Sequence, residues 1–252
     1  MSFESYGISD VGCVRTNNED RILIDGALGL YVVCDGMGGQ EHGEVAAELA
    51  VAAIRFYLDA SQDRLDVSWP FGYNFEMCVE ANRIVTAVKL ANRQVWRKAE
   101  QDLECAGMGT TVAAVLLMDS GIVGASVGDS RIYLLREGKL RQLSIDDTLV
   151  GSFVQKGMLS REDAAIHPMR NVLTQAAGSQ EDVDIHVYEE KLQLGDTLIL
   201  CSDGLYGPVV EDSIRMILDS TDSVESIANT LISEARRAGA PDNVSAILLR
   251  YT

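Results

Sequence analysis

Residues 110–136 read TTVAAVLLMDSGIVGASVGDSRIYLLR. Three apolar runs, 110–118, 122–127 and 131–136, are split by two turn-forming triplets, Asp119-Ser120-Gly121 and Gly128-Asp129-Ser130. Glu137-Gly138 follows as a further hairpin signal. Short apolar runs joined by tight turns pair side by side in opposite directions, so this stretch predicts antiparallel sheet. Working outward, 22–24 and 30–34 read as strands with Gly29 in the turn between them, and strands resume at 184–188, 197–201 and 244–250. Helical spacing appears in 43–58, through Val45, Leu49, Ala52, Ala53 and Phe56. It appears again in 75–100, through Val79, Ile84, Val88, Leu90, Val95 and Trp96, and over 212–218 and 224–238. Two helices inserted early and two late would cover the sheets. The expected class is α+β: two packed antiparallel β-sheets flanked by α-helices.

Residues 146–168 differ in character, with short helical pieces and polar turns. No repeat, low-complexity tract or Pro/Ser-rich linker divides the chain, so residues 1–252 are expected to form a single domain. The apolar fraction of 47% supports a packed core. No apolar stretch reaches the roughly 18 to 20 residues that span a bilayer. Residues 1–10 lack the basic and apolar regions of a secretory signal, so a cytoplasmic location is expected. Five cysteines without a CxxC pair point to reduced thiols and away from a cysteine zinc site. A net charge of -17 repels nucleic acid and anionic membrane, and neither is expected as a partner. A phosphate ester would be repelled as well, unless clustered carboxylates hold cations that meet it.

The carboxylates recur in one local pattern. The run 30–34 leads into Asp35-Gly36, the run 197–202 into Asp203-Gly204, and the run 122–127 into Gly128-Asp129. A fourth acid, Asp242, stands just before the last strand. One Asp-Gly is a common hairpin turn. Four acids at strand ends are different, because two packed sheets can gather those ends at one rim. Converging carboxylates repel unless they are protonated or bridged by cations. Oxygen ligands without His or Cys suit Mg²⁺ or Mn²⁺. Gly36 would let its carbonyl approach an ion closely. Near the N-terminus, Arg15 could clamp a phosphate through bidentate, charge-assisted bonds, and Glu19 and Asp20 could hold metal-bound waters. A capped loop is the plainer account of that segment.

These motifs in order are Gly-x-Val-Arg-x-x-Asn-Glu-Asp (12–20), Val-x-Asp-Gly-Met-Gly-Gly (33–39), Gly-Thr-Thr (109–111), Gly-Asp-Ser-Arg (128–131), Ser-Asp-Gly-Leu (202–205) and Asp-Asn-Val-Ser (242–245). Over nearly the whole chain they resemble the PP2C (PPM) family of metal-dependent protein phosphatases, especially its compact bacterial members. The resemblance implies a β-sandwich flanked by helices and a binuclear Mn²⁺ or Mg²⁺ centre. Asp35 would bridge the two ions, the Gly36 carbonyl would bind one, and Asp203 and Asp242 the other. A third ion would sit between Asp129 and Asp203. Water activated between the cations would attack phosphoserine or phosphothreonine in line, with Arg15 on the phosphate oxygens. Residues 146–170 correspond to the family's flap beside the active site. The implied partners are phosphorylated proteins, a serine/threonine kinase and its substrates, met by a monomer. Some bacterial relatives are encoded beside type VI secretion genes.

Two positions depart from the pattern. Met37 stands where many eukaryotic relatives carry a histidine proposed as general acid, and Gln175 replaces an expected Arg. His42, His167 and His186 fall in no motif. A non-catalytic binding module would have lost a metal carboxylate or Arg15, and none is lost. An enzyme of nucleotides finds no support, since the glycines after Asp35 lack the Lys-Ser/Thr of a P-loop.

Overall fold

A computed structural model describes residues 2–38, 42–62, 68–119 and 121–252. Gly39 and Ser120, quoted above in motif and turn, lie outside the described residues. In chain order the strands are β1 (Phe3–Asp10), β2 (Asp20–Asp25), β3 (Leu30–Met37), β4 (Gly109–Thr110), β5 (Val112–Met118), β6 (Gly121–Val127), β7 (Arg131–Arg136), β8 (Lys139–Gln142), β9 (His186–Lys191), β10 (Thr197–Cys201) and β11 (Val244–Tyr251). The helices are α1 (Gly43–Ala60), α2 (Val79–Gln101), α3 (Leu149–Gln155), α4 (Arg161–Ala165), α5 (Asp203–Tyr206), α6 (Glu211–Leu218) and α7 (Val224–Arg237).

The strands form two antiparallel sheets, one in the order β1-β11-β10-β7-β8 and the other β2-β3-β5-β6-β9, with β4 beside β3. Alternation along each strand divides the core. Tyr31, Val33, Ala113 and Val115 of one sheet meet Ile132, Leu134, Leu198, Leu200, Ile247 and Leu249 of the other. The residues between them turn outward. Leu30, Val32 and Cys34 pack under α1 and α2, and Ile199, Cys201, Ala246 and Leu248 under α6 and α7. Burial on both faces explains why these strands read as unbroken apolar runs. The layers run helix, sheet, sheet, helix, as the expected α+β sandwich requires.

Several expectations need correction. β1 pairs with β11 along its whole length, from Phe3↔Tyr251 to Asp10↔Val244, but its sequence FESYGISD carries no apolar run to announce it. The run 110–118 is two strands broken at Thr111, whose backbone N–H turns to the Asp35 carbonyl at 2.8 Å. The second helix starts at Val79, not residue 75, because the Cys78 thiol accepts the Ala81 N–H at 3.3 Å and caps it. The strand read as 30–34 runs on through Asp35 and Gly36 to Met37, and Asp35 faces Asp20 of β2 and Gly36 faces Thr110 of β4. Glu137 and Gly138 have φ of 49° and 70° and do form the β7–β8 hairpin turn. Residues 146–170 contain the short helices α3 and α4. No helix among the described residues is long and apolar enough to cross a membrane. All five cysteines are free, with Cys34, Cys105 and Cys201 buried.

Candidate metal centre

The sandwich brings one end of both sheets together, and the acids meet there. Antiparallel pairing sets Asp20 directly across from Asp35. Asp35 is fixed by its backbone: its N–H donates to Thr111 Oγ1 at 2.9 Å, and its carbonyl accepts from Thr110 Oγ1 at 3.0 Å. Its side chain sits deep in the cluster with part of its surface open. Asp203 opens α5, directly after Ser202, close enough to Asp35 for its charge to act on it. Asp129 follows β6 in a buried turn, its carbonyl accepting the Tyr206 hydroxyl at 2.9 Å. Asp242 lies in the loop before β11, its Oδ1 accepting the Asn243 N–H at 2.9 Å.

The electrostatics follow from crowding. Asp35 is pushed well above the usual carboxylate range by burial first, then by the charges of Asp20, Asp203, Asp129 and Asp242. Burial, with Asp203 and Asp146 adding, pushes Asp129 up to about 7 against the pull of Arg131. Burial likewise pushes Asp20 up to about 6, although its Oδ2 accepts the Ser202 hydroxyl at 2.8 Å. Asp203 is raised by burial and Asp242. Glu19 is raised by burial and the nearby Glu44.

Arg15 lies beside the same acids and donates from Nη2 to Asp242 Oδ2 at 2.8 Å, with half of its side chain exposed. It therefore pairs with a proposed ligand and stands at the rim of the cluster. The N-terminal loop is held there by Asn243. Its Nδ2 donates to the carbonyls of Val11 at 2.9 Å and Asn17 at 2.8 Å, and its Oδ1 accepts the Glu19 N–H at 2.9 Å. Asn243 stands in the Asp-Asn-Val-Ser motif, where the sequence alone assigns it no role. Gly36 has a reason the sequence did not reveal: a Cβ there would lie 2.0 Å from the Gly43 carbonyl oxygen and 2.7 Å from that of Glu19. The strand crosses the start of α1 backbone to backbone.

The donor set suits a hard divalent cation. It offers only oxygen, it gathers carboxylates that raise one another's pKa, and the buried Asp20 Oδ1 has no hydrogen-bond partner. Among the described residues no three His, Cys, Asp or Glu side chains already form a closed cage. Asp242 is paired with Arg15 instead. Of the histidines, His42 precedes α1 without a side-chain cap bond. His167 Nδ1 accepts the Met169 N–H at 3.1 Å, and His186 pairs with Asp147 at 2.8 Å.

Residues 14–248 match the family model described as Protein phosphatase 2C. The chain belongs to the protein phosphatase 2C family. Membership carries the activity class, that of a metal-dependent serine/threonine phosphatase. The serine/threonine phosphatase stp of Listeria welshimeri is 35% identical over 248 residues, covering 96% of this chain and 93% of that one. PstP of Mycobacterium tuberculosis is 35% identical over 240 residues, and this chain spans 43% of its length. A PstP catalytic domain in complex with two manganese ions superposes with a TM-score of 0.83 at 33% identity, covering 98% of this chain and 97% of that one. PppA, described as a key regulatory component of the T6SS in Pseudomonas aeruginosa, superposes with a TM-score of 0.80 at 27% identity over 100% of this chain and 99% of that one.

Proposed function

We propose that this PP2C phosphatase binds its cations through Asp35, the Gly36 carbonyl, Asp203 and Asp242, with Asp129 holding a third beside Asp203. The observation that carries this reading is the convergence of acids on the buried end of β3, with Asp20 directly across from Asp35 and the charges of Asp203, Asp129 and Asp242 acting on it. When bound, Mn²⁺ or Mg²⁺ supplies an activated water and the positive charge that meets the phosphate. Glu19 and Asp20 order water around the ligands, Asp20 through its unpartnered Oδ1. Arg15 binds phosphate oxygens from the rim, a role its exposure and its bond to Asp242 support. Burial pushes the Cys201 thiol up to about 12 and raises that of Cys34, so neither offers the thiolate a nucleophile needs.

The substrates are phosphorylated proteins, among them a serine/threonine kinase and the proteins it modifies. The enzyme acts as a cytoplasmic monomer built from one domain over residues 1–252. The flap, 146–170, exposes Met158 and Ile166 beside polar side chains and so offers a surface to a substrate chain. The test is turnover of a phosphothreonine peptide and of a nucleotide by metal-stripped protein, before and after Mn²⁺ is restored. Peptide turnover should appear only with the metal. Preference for the nucleotide, or full peptide turnover in chelator, would overturn the proposal.

A further inference from the structure

Asp129 reaches the cluster from a turn, not from a strand, and something must hold that turn. Gly128 has φ of 89°, and a Cβ on it would meet Thr111 Cγ2 at 2.8 Å. Asp147, the second residue of the flap segment, grips Gly128 at both of its peptide groups. Its Oδ2 accepts the Gly128 N–H at 2.9 Å, and its own N–H donates to the Gly128 carbonyl at 2.9 Å. The carboxylate is locked in turn. Oδ2 also accepts Gln175 Nε2 at 2.8 Å, and Oδ1 pairs with His186 Nε2 at 2.8 Å. Gln175 is itself fixed by Asp184, donating to its carbonyl at 2.8 Å and accepting its N–H at 3.1 Å. His186 begins β9 and pairs with Ser126 of β6, the strand that runs into Gly128. On the other side of Asp129, Arg131 donates to Asp146 through Nε at 3.0 Å and Nη2 at 2.6 Å. Two consecutive acids thus straddle the turn that carries Asp129.

We propose that Asp147, locked by His186 and Gln175, is the positioning residue that aims the Asp129 carboxylate at its cation. The inference rests on the reading of Asp129 as a ligand. Asp147 is no ligand itself, because both of its oxygens are taken by partners. It acts as outer partners of ligands do, by fixing the direction of the oxygen that binds. Gln175, where the family resemblance led us to expect Arg, serves here as one jaw of that clamp.

The test is Mn²⁺ titration of the metal-stripped full chain, followed by the paramagnetic signal of free Mn²⁺. The variants are Asp147→Asn, which leaves a single acceptor oxygen and turns an NH2 toward either His186 or the Gly128 and Gln175 donors, and Gln175→Glu, which sets a second carboxylate against Asp147. Removing such outer partners typically weakens metal binding about 10- to 100-fold. That loss should fall on the weakest site in both variants, with the tighter sites unchanged. Gln175→Glu should still unfold in one cooperative transition in chelator, and excess Mn²⁺ should restore turnover. Unchanged weakest-site affinity in both variants would overturn the inference, and so would equal weakening of every site with a lowered melting temperature. Asp129→Ala separates the two readings. If it keeps the weakest site, Asp129 is not the ligand and the ground for the clamp is gone. If it loses that site while Asp147→Asn and Gln175→Glu keep it, the clamp alone is wrong.

Discussion

Replacing Gly36 with alanine tests why a glycine follows Asp35. The added Cβ would lie 2.0 Å from Gly43 O and 2.3 Å from Gly43 C, both backbone atoms. Ordinary contact begins at 3.4 Å, so β3 and the start of α1 must part by more than an ångström. The Gly36 N–H bond to the Glu19 carbonyl, 3.2 Å long, would stretch with them. Overpacking against rigid surroundings costs about 1–3 kcal/mol, and a buried hydrogen bond adds about 1 kcal/mol. A loss of about 3 kcal/mol lowers the melting temperature of a chain this size by about 6–12 °C. The assay is thermal unfolding by circular dichroism in excess chelator, where no ion contributes. Gly26→Ala is the control, since its added Cβ meets nothing within 4 Å. A Gly36→Ala melting point equal to the parent's in chelator, with loss only of metal binding, would refute this reasoning. It would return the glycine to its first explanation, close approach of a carbonyl to an ion.

Three further outcomes follow from the same geometry. Asp20, pushed up to about 6, and Asp129, to about 7, keep protons that the unfolded chain releases near pH 4. A raised folded pKa contributes stability that is complete below about pH 4 and lost as pH climbs toward 7. Chelated protein should therefore melt lower at pH 8 than at pH 5, and saturating Mn²⁺ should remove the difference; a flat chelated profile would contradict it. Arg15→Ala should raise KM for a phosphopeptide about tenfold, the lower end of a charge-assisted bond of about 1.5–3 kcal/mol, because the side chain is half exposed. Arg15→Lys should rescue it only in part, and an unchanged KM would place Arg15 outside the site. Met158 and Ile166 are 70% and 79% exposed, so Met158→Asp with Ile166→Asp should leave the fold intact. The pair should slow phosphoprotein turnover severalfold while sparing an aryl phosphate, and equal effects on both substrates would make the flap structural.

The sandwich was legible wherever strands are buried on both faces, as at 131–136 and 197–201, because such strands spell continuous apolar runs. β1 was not, since its partly exposed side chains need no such run and its pairing with β11 depends on residues more than two hundred positions away. Asp35, Asp129 and Asp203 were legible because each follows an apolar run, and Asp242 because it stands just before one. Their surroundings were not. Asp147 and His186 meet only after β9 aligns with β6, and no local pattern in either residue's neighbourhood announces that contact. The glycine at 36 was read through its carbonyl alone, because its collision with Gly43 appears only once α1 crosses β3. Arg15 was read as a phosphate ligand, and its bond to Asp242 joins loops 227 residues apart.

The central claim is that Asp35 joins the cations on which catalysis depends. The direct measurement is Mn²⁺ bound per chain, by equilibrium titration, together with phosphothreonine-peptide turnover for Asp35→Ala and the parent. Asp35 should be the costliest loss in the cluster, because it lies at the centre of the acids that crowd one another. Asp35→Ala should remain folded, bind fewer ions than the parent and lose turnover that added Mn²⁺ does not restore. Parent-like turnover by Asp35→Ala after metal stripping would contradict the account.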